Sequence, residues 1–105
     1  MIHSLKVQDA LRLIENGSVD VVDVREVSEW NTGHIPGARL VPLDSLRADP
    51  TAALPRDNVV FVCAKGVRSL TAAKVAERLG LQQLYNLEGG TSSWARAGLP
   101  LAVGE

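Results

Sequence analysis

The chain has 105 residues, with 11 Lys plus Arg against 12 Asp plus Glu and a formal net charge of −1. This length fits one domain, residues 1–105, and 46% hydrophobic with 22% charged residues is a globular rather than a disordered composition. The near-neutral charge argues against nucleic acid and anionic membranes as partners, because both attract concentrated basic charge. The single cysteine, Cys63, excludes an internal disulfide.

Targeting and metal signals are absent from the sequence. The first residues hold no basic stretch followed by an apolar signal core, so we expect a cytoplasmic protein. The longest apolar run, 59–64, is far shorter than the roughly 20 residues that a membrane-spanning helix needs. His3, His34 and Cys63 show no metal-ligand spacing, and we expect neither a metal nor a cofactor.

Helix and strand signals alternate from the start of the chain. Apolar residues at helical spacing predict a helix over 7–15, which ends at Asn16-Gly17. The continuous β-branched run 19–24 predicts a strand buried on both faces. A short helix is predicted over 26–32, where Gly33 ends it.

The middle of the chain contains the clearest strand. A strand is predicted over 38–43, followed by a loop over 44–57 that holds two prolines and one helical turn at 45–48. The apolar run 58–63 then predicts a second buried strand.

The last third repeats the alternation. A helix is predicted over 69–79, with Ser69 as its N-cap and Gly80 as its stop. A strand over 84–87 and a short helix over 92–97 follow. Short buried strands separated by helices indicate βαβ crossovers. The predicted fold class is therefore α/β, in a three-layer α/β/α arrangement with a mainly parallel sheet.

Ligands of open parallel sheets bind outside the carboxyl ends of the strands, and Cys63 lies at such an end. The loop and helix start after it offer backbone N–H groups and a partial positive charge, which together hold anions. The candidate catalytic residue is Cys63, and the candidate binding residues are Ala64, Lys65, Gly66, Val67, Arg68 and Ser69.

This setting favours the thiolate form of Cys63. Helix termini and cations lower the pKa of a thiol from its ordinary value of about 8.5, and Lys65 and Arg68 supply two cations. Gly66 permits a positive φ or close approach of a bound anion. The competing interpretation is an inert, packed thiol, because cysteine is among the most buried residue types.

Four segments resemble the rhodanese-like sulfurtransferases, and together they cover nearly the whole chain. Residues 21–26 are similar to the family's hydrophobic-Asp-x-Arg segment, and 33–38 match its Gly-His-Ile-Pro-Gly-Ala motif letter for letter. Residues 63–68 are similar to its Cys-x-x-Gly-x-x active-site loop. Residues 86–90, with Trp94, fit its carboxyl-terminal pattern.

The resemblance implies a five-stranded sheet and a covalent mechanism on Cys63. The cysteine would take a sulfane sulfur from a small anionic donor such as thiosulfate, become a persulfide, and pass the sulfur to cyanide or a thiol. Phosphate-acting relatives place Arg six positions after the nucleophile, where this chain has Ser69, so the loop favours sulfur transfer. The loop departs from the vertebrate thiosulfate enzymes at Ala64 and Arg68, where those enzymes have Arg and Thr.

Two other functions remain open. Cys63 could belong to a sulfur-relay module that takes sulfur from one protein and delivers it to another. Alternatively, it could be the thiol of a redox sensor, which would have to act between chains or with small thiols because there is no second cysteine.

Several residues have structural interpretations. Asp23 and Arg25 follow a buried strand and are predicted to form a local ion pair, with substrate binding by Arg25 as the alternative. His34 is predicted to bond the backbone rather than act as an acid or base. Trp30 and Trp94 are predicted to pack helices on the sheet.

Overall fold

The computed structural model describes residues 1–103 and contains five strands and six helices. The strands are β1 (Ile2–Leu5), β2 (Asp20–Asp23), β3 (Arg39–Leu40), β4 (Val59–Val62) and β5 (Leu84–Leu87). The helices are α1 (Val7–Asn16), α2 (Val27–Trp30), α3 (Leu43–Ala48), α4 (Pro50–Ala53), α5 (Val67–Leu79) and α6 (Gly90–Arg96). All neighbouring strands run parallel, in the order β1-β5-β4-β2-β3.

The central strand β4 packs against helices on both faces of the sheet. Side chains alternate between the two faces of a strand. Val59 and Phe61 pack in a core cluster with residues of α3 and α5, whereas Val60 and Val62 pack with residues of α1 and α6. The predicted three-layer α/β/α fold with a five-stranded parallel sheet is confirmed.

The alternation of strands and helices was predicted correctly, but the first strand, β1, was not predicted. Ile2 and Leu5 are half-buried while His3 and Ser4 are exposed, so this edge strand has no continuous apolar run to reveal it. The strand predicted over 38–43 is shorter and comprises Arg39–Leu40.

The loop predicted over 44–57 was wrong in part, because two helices, α3 and α4, occupy 43–53. Pro50 takes the first position of α4, where a missing N–H breaks no helical bond. The Asp49 carboxylate accepts the Ala52 N–H at 3.3 Å and caps the same helix. The proline that indicated a loop therefore starts a helix.

The predicted starts of the last two helices were also wrong. α5 begins at Val67, with Gly66 before it at a φ of 99°, so Ser69 lies in the first turn and is not the N-cap. α6 begins at Gly90 rather than at 92. Both helices therefore start next to the loop that follows Cys63. Within residues 1–103, no helix is long and apolar enough to cross a membrane.

Candidate active site

Cys63 lies directly after β4, at the carboxyl edge of the sheet, and only 1% of it is exposed. Its Sγ accepts the backbone N–H of Gly66 at 3.1 Å and lies 3.2 Å from Oγ of Ser69. The backbone turns around the sulfur at Gly66, which adopts the left-handed conformation. Glycine adopts this conformation readily, whereas residues with a side chain disfavour it. The thiol is thus enclosed by the loop that leads into α5.

Helix α6 holds the same loop from outside. The Thr91 N–H donates to the Cys63 carbonyl at 2.9 Å, and the Ser92 N–H donates to the Ala64 carbonyl at 3.1 Å. These donors belong to the first turn of α6, whose N–H groups have no partner within the helix. The loop carbonyls therefore bond to α6, while the Gly66 N–H bonds to the sulfur.

Gly90 makes this contact between α6 and the loop possible. A Cβ at Gly90 would lie 2.2 Å from the Cys63 carbonyl oxygen and 2.6 Å from backbone atoms of Ala64. Backbone atoms cannot move aside as a flexible side chain can. No residue larger than glycine fits here while the loop keeps its shape.

The loop opposes the effect of burial on Cys63. Burial by itself raises the pKa of the thiol, because it disfavours the charged form. The Ser69 hydroxyl lowers this pKa when its proton turns toward Sγ, and the backbone N–H groups of Ser69, Lys65 and Gly66 lower it as well. The net result is a Cys63 pKa below its ordinary value, which increases the thiolate fraction at neutral pH.

A buried side-chain network supports the loop from β5. The Ser69 hydroxyl donates to Asn86 Oδ1 at 2.5 Å, and Asn86 Nδ2 donates to the Gly66 carbonyl at 3.1 Å. Ser69 is fully buried and Asn86 is 7% exposed. The network links Cys63, Ser69 and Gly66 to a neighbouring strand.

The remaining loop side chains do not converge on the sulfur. Lys65 and Val67 are exposed. The Arg68 guanidinium binds the Glu29 carboxylate on α2 at 2.7 and 2.9 Å. The hydrogen bond from Arg68 lowers the pKa of Glu29 to about 2, and the same bond raises the pKa of Arg68. Of the predicted site residues, the structure therefore brings Gly66, Ser69 and the backbone N–H of Lys65 to the thiol.

The predicted ion pair after β2 is confirmed. Arg25 donates from Nε and Nη2 to the Asp23 carboxylate at 2.8 to 3.1 Å, and both side chains are almost fully buried. Arg25 also donates to the carbonyl of Gly33 at 2.8 Å. These bonds connect the end of β2 to the segment around 33–38 and occupy the guanidinium.

His34 and the two tryptophans have structural contacts. His34 Nδ1 lies 3.2 Å from the Trp30 carbonyl, as the prediction of a backbone bond required. The Trp30 and His34 rings also stack, with centroids 3.5 Å apart. Trp94 packs in the core on the α1 and α6 side of the sheet, and its Nε1–H donates to the Pro100 carbonyl.

Sequence reasoning assigned no role to three residues of this region. Asn86 and Gly90 lie in the segment that resembled the family's carboxyl-terminal pattern, which was the available signal. Glu29 had no such signal, because its partner Arg68 is 39 residues away. In residues 1–103 no group of three or more His, Cys, Asp or Glu side chains could hold a metal ion.

Comparison with known proteins places this arrangement in a family. The Rhodanese-like domain family matches residues 6–97. The sulfurtransferase of Allochromatium vinosum is 35% identical over 95 residues, covering 90% of this chain and 88% of its own. Thiosulfate sulfurtransferase GlpE of Shewanella oneidensis is 33% identical over 93 residues, covering 89% of this chain and 92% of its own.

Other relatives extend well beyond the matched domain. YqhL of Bacillus subtilis, an uncharacterised protein, is 38% identical over 70% of this chain, which spans 59% of YqhL. MoeZ of Mycobacterium tuberculosis, described as a probable adenylyltransferase/sulfurtransferase, is 36% identical over 72% of this chain, which spans 20% of MoeZ. The domain therefore also occurs as a part of larger proteins.

The solved structures agree with the sequence match. The crystal structure of a rhodanese-related protein from Thermoplasma volcanium superposes with a TM-score of 0.85 at 32% identity, covering 97% of this chain and 99% of that one. The likeness extends over the parallel sheet and the helices on both of its faces. By sequence and by fold, this chain belongs to the rhodanese-like domain family.

Proposed function

We propose that the protein is a sulfurtransferase that carries sulfane sulfur as a persulfide on Cys63. The observation that carries this proposal is the hydrogen bond of 3.1 Å that the Gly66 N–H donates to Sγ of Cys63. Hydrogen-bond donors fixed around a sulfur stabilise its anion, and the thiolate is the nucleophilic form of cysteine. Two relatives of similar length carry the name sulfurtransferase.

The proposed reaction has two balanced steps. The Cys63 thiolate attacks the outer sulfur of thiosulfate, an Sγ–S bond forms, and the bond to sulfite breaks with its electron pair leaving on sulfite. Cyanide or a thiolate then attacks the outer sulfur of the persulfide, and thiocyanate or a new persulfide leaves. The Cys63 thiolate is regenerated, and no external oxidant or reductant is needed. A covalent intermediate of this kind predicts ping-pong kinetics.

The donor in this proposal is a small anion. Backbone N–H groups of residues 64–69 bind its charge, with Lys65 and Arg68 at the rim of the loop. Since Cys63 is only 1% exposed, the donor reaches the sulfur after a shift of this loop. A phosphatase is disfavoured, because the Arg68 guanidinium is held by Glu29 and does not converge with Sγ on one anion.

A sulfur-relay module is the second candidate. Val67, four residues after Cys63, is an apolar side chain that is 75% exposed, and a protein partner that docks on the loop would contact it. The occurrence of the domain within the larger MoeZ is consistent with transfer between proteins.

A cytoplasmic location, a single domain over 1–105 and the absence of nucleic-acid and membrane partners stay predictions from sequence.

The test is the mass of the intact protein after thiosulfate and then after cyanide. We expect the native protein to gain one sulfur atom and to lose it as thiocyanate, while Cys63→Ser gains none. Absence of loading by thiosulfate, with loading from a protein persulfide donor, would favour the relay. If no donor loads Cys63 in the folded protein, the sulfurtransferase proposal is wrong.

A further inference from the structure

The hydrogen bonds between β5 and the Cys63 loop have a defined direction. The Gly66 carbonyl can only accept, so the amide nitrogen of Asn86 must be the group that faces it. The amide oxygen of Asn86 therefore faces Ser69, and it too can only accept. The Ser69 hydroxyl, which has one proton, donates that proton to Asn86.

The direction of the hydrogen bond from Ser69 to Asn86 determines whether the network favours the thiol or the thiolate of Cys63. With its proton on the Asn86 side, Ser69 presents lone pairs to Sγ, 3.2 Å away, and the Cys63 S–H is the donor between them. A thiolate has no proton to donate, so it needs the Ser69 hydroxyl to turn from Asn86 to the sulfur. The buried oxygen of Asn86 then loses its donor, which is unfavourable.

We propose that Asn86 is a positioning residue that competes with the Cys63 thiolate for the single proton of Ser69. Asn86 thereby favours the forms of Cys63 whose Sγ carries no charge. One is the thiol. The other is the persulfide, in which the negative charge lies on the outer sulfur; this part rests on the proposed function. Sulfur loading returns the Ser69 hydroxyl to Asn86, so Asn86 favours the loaded protein over the free thiolate.

Asn86 and the loop backbone act on Cys63 in opposite directions. The Gly66 N–H, 3.1 Å from Sγ, favours the thiolate. Competition for the Ser69 proton limits how far the pKa of Cys63 falls. Removal of the Asn86 amide is therefore expected to lower that pKa further.

A purely structural role of Asn86 predicts the opposite sign. Asn86 also anchors the loop through the Gly66 carbonyl. Loss of that anchor would loosen the N–H bond to Sγ and raise the pKa of Cys63. The anchor does not depend on Ser69, whereas the competition does, so the two roles can be separated.

The test is a double-mutant cycle on the pKa of Cys63, measured without any sulfur donor from thiolate absorbance and alkylation rate against pH. Asn86→Leu is expected to lower the pKa by about one unit, a tenfold rise in the ratio of thiolate to thiol. In the Ser69→Ala background, Asn86→Leu is expected to leave the pKa unchanged or raise it. The difference between the two shifts measures the competition.

Equal shifts in the two backgrounds, or a more negative shift in the Ser69→Ala background, would overturn the proposal. Circular dichroism and thermal unfolding establish that each variant is folded, and Asn86→Ala replaces Asn86→Leu if the leucine variant is not. The cycle uses no sulfur donor, so its result is independent of the proposed function. It can contradict the role of Asn86 although thiosulfate loads Cys63, and it can support that role although no donor loads Cys63. If thiosulfate loads the protein, the equilibrium constant for loading from the thiolate should fall about tenfold in Asn86→Leu.

Discussion

The Glu29 carboxylate binds the Arg68 guanidinium through two hydrogen bonds, of 2.7 and 2.9 Å. The pair joins α2 to the first turn of α5, the helix that follows the Cys63 loop. A guanidinium offers its paired donors to one carboxylate or one anionic ligand at a time. Glu29 therefore determines how much of the Arg68 charge is available to a donor at the site.

Release of Arg68 should strengthen the binding of an anionic donor. Glu29→Gln is expected to lower the KM for thiosulfate about threefold, a modest change because both side chains are about a third exposed and water screens their charge. Arg68→Ala is expected to raise the KM for thiosulfate while the protein stays folded, which thermal unfolding checks. Steady-state kinetics of thiocyanate formation measures the KM of each variant. An unchanged KM in folded Arg68→Ala would remove Arg68 from the donor site.

The same pair should give a stability contribution that depends on pH. The pKa of Glu29 is lowered from 4.5 to about 2, so the pair stabilises the fold fully above pH 4.5 and loses its effect as the pH falls toward 2. We expect Glu29→Gln to cost about 1 kcal/mol or less at pH 6, since the pair is partly exposed, and less at pH 3. Urea unfolding of both proteins at the two pH values measures this.

A pH-independent difference would contradict that assignment. The Glu29 carboxylate also accepts the Glu26 N–H at 3.0 Å as part of a capping box. If the capping bond rather than the charge of Arg68 dominated, Glu29→Gln would cost little at either pH, because glutamine also forms a capping box.

Gly90 should tolerate substitution far less than Gly98. Both have positive φ, 57° and 78°, so alanine at either position costs about 1–2 kcal/mol of backbone strain. A Cβ at Gly90 would also meet the Cys63 carbonyl, whereas a Cβ at Gly98 meets nothing within 4 Å. Gly90→Ala is expected to cost more than about 3 kcal/mol and to change the alkylation rate of Cys63. Gly98→Ala is the matched control, and equal losses of stability would refute the close contact.

The buried Asp23–Arg25 pair should matter for stability rather than for donor binding. Arg25→Met leaves the Asp23 carboxylate buried without its partner, and a cost of about 3–5 kcal/mol is expected in urea unfolding. The double variant Asp23→Asn/Arg25→Met should recover part of that loss, because no charge is then left unpaired. If Arg25→Met kept its stability but lost thiosulfate use, Arg25 would instead be a substrate residue.

The alternation of buried strands and helices, and the place of Cys63 at the end of β4, followed from the sequence by itself. Continuous apolar runs such as 58–63 and stops such as Gly80 are local signals, and the buried parallel sheet leaves them visible in the chain. Where the local signal was weak or ambiguous, prediction failed. β1 is an edge strand with two exposed residues, and Pro50 starts a helix instead of a loop.

The side-chain partners around the sulfur were decided by the tertiary structure. Glu29 and Arg68 are 39 residues apart, and Ser69 and Asn86 are 17 apart. Parallel βαβ crossovers bring the ends of strands and the starts of helices that are distant in sequence to one edge of the sheet. Which side chains then meet depends on register and helix placement to within an ångström or so, and hydrophobic periodicity carries no information at that scale.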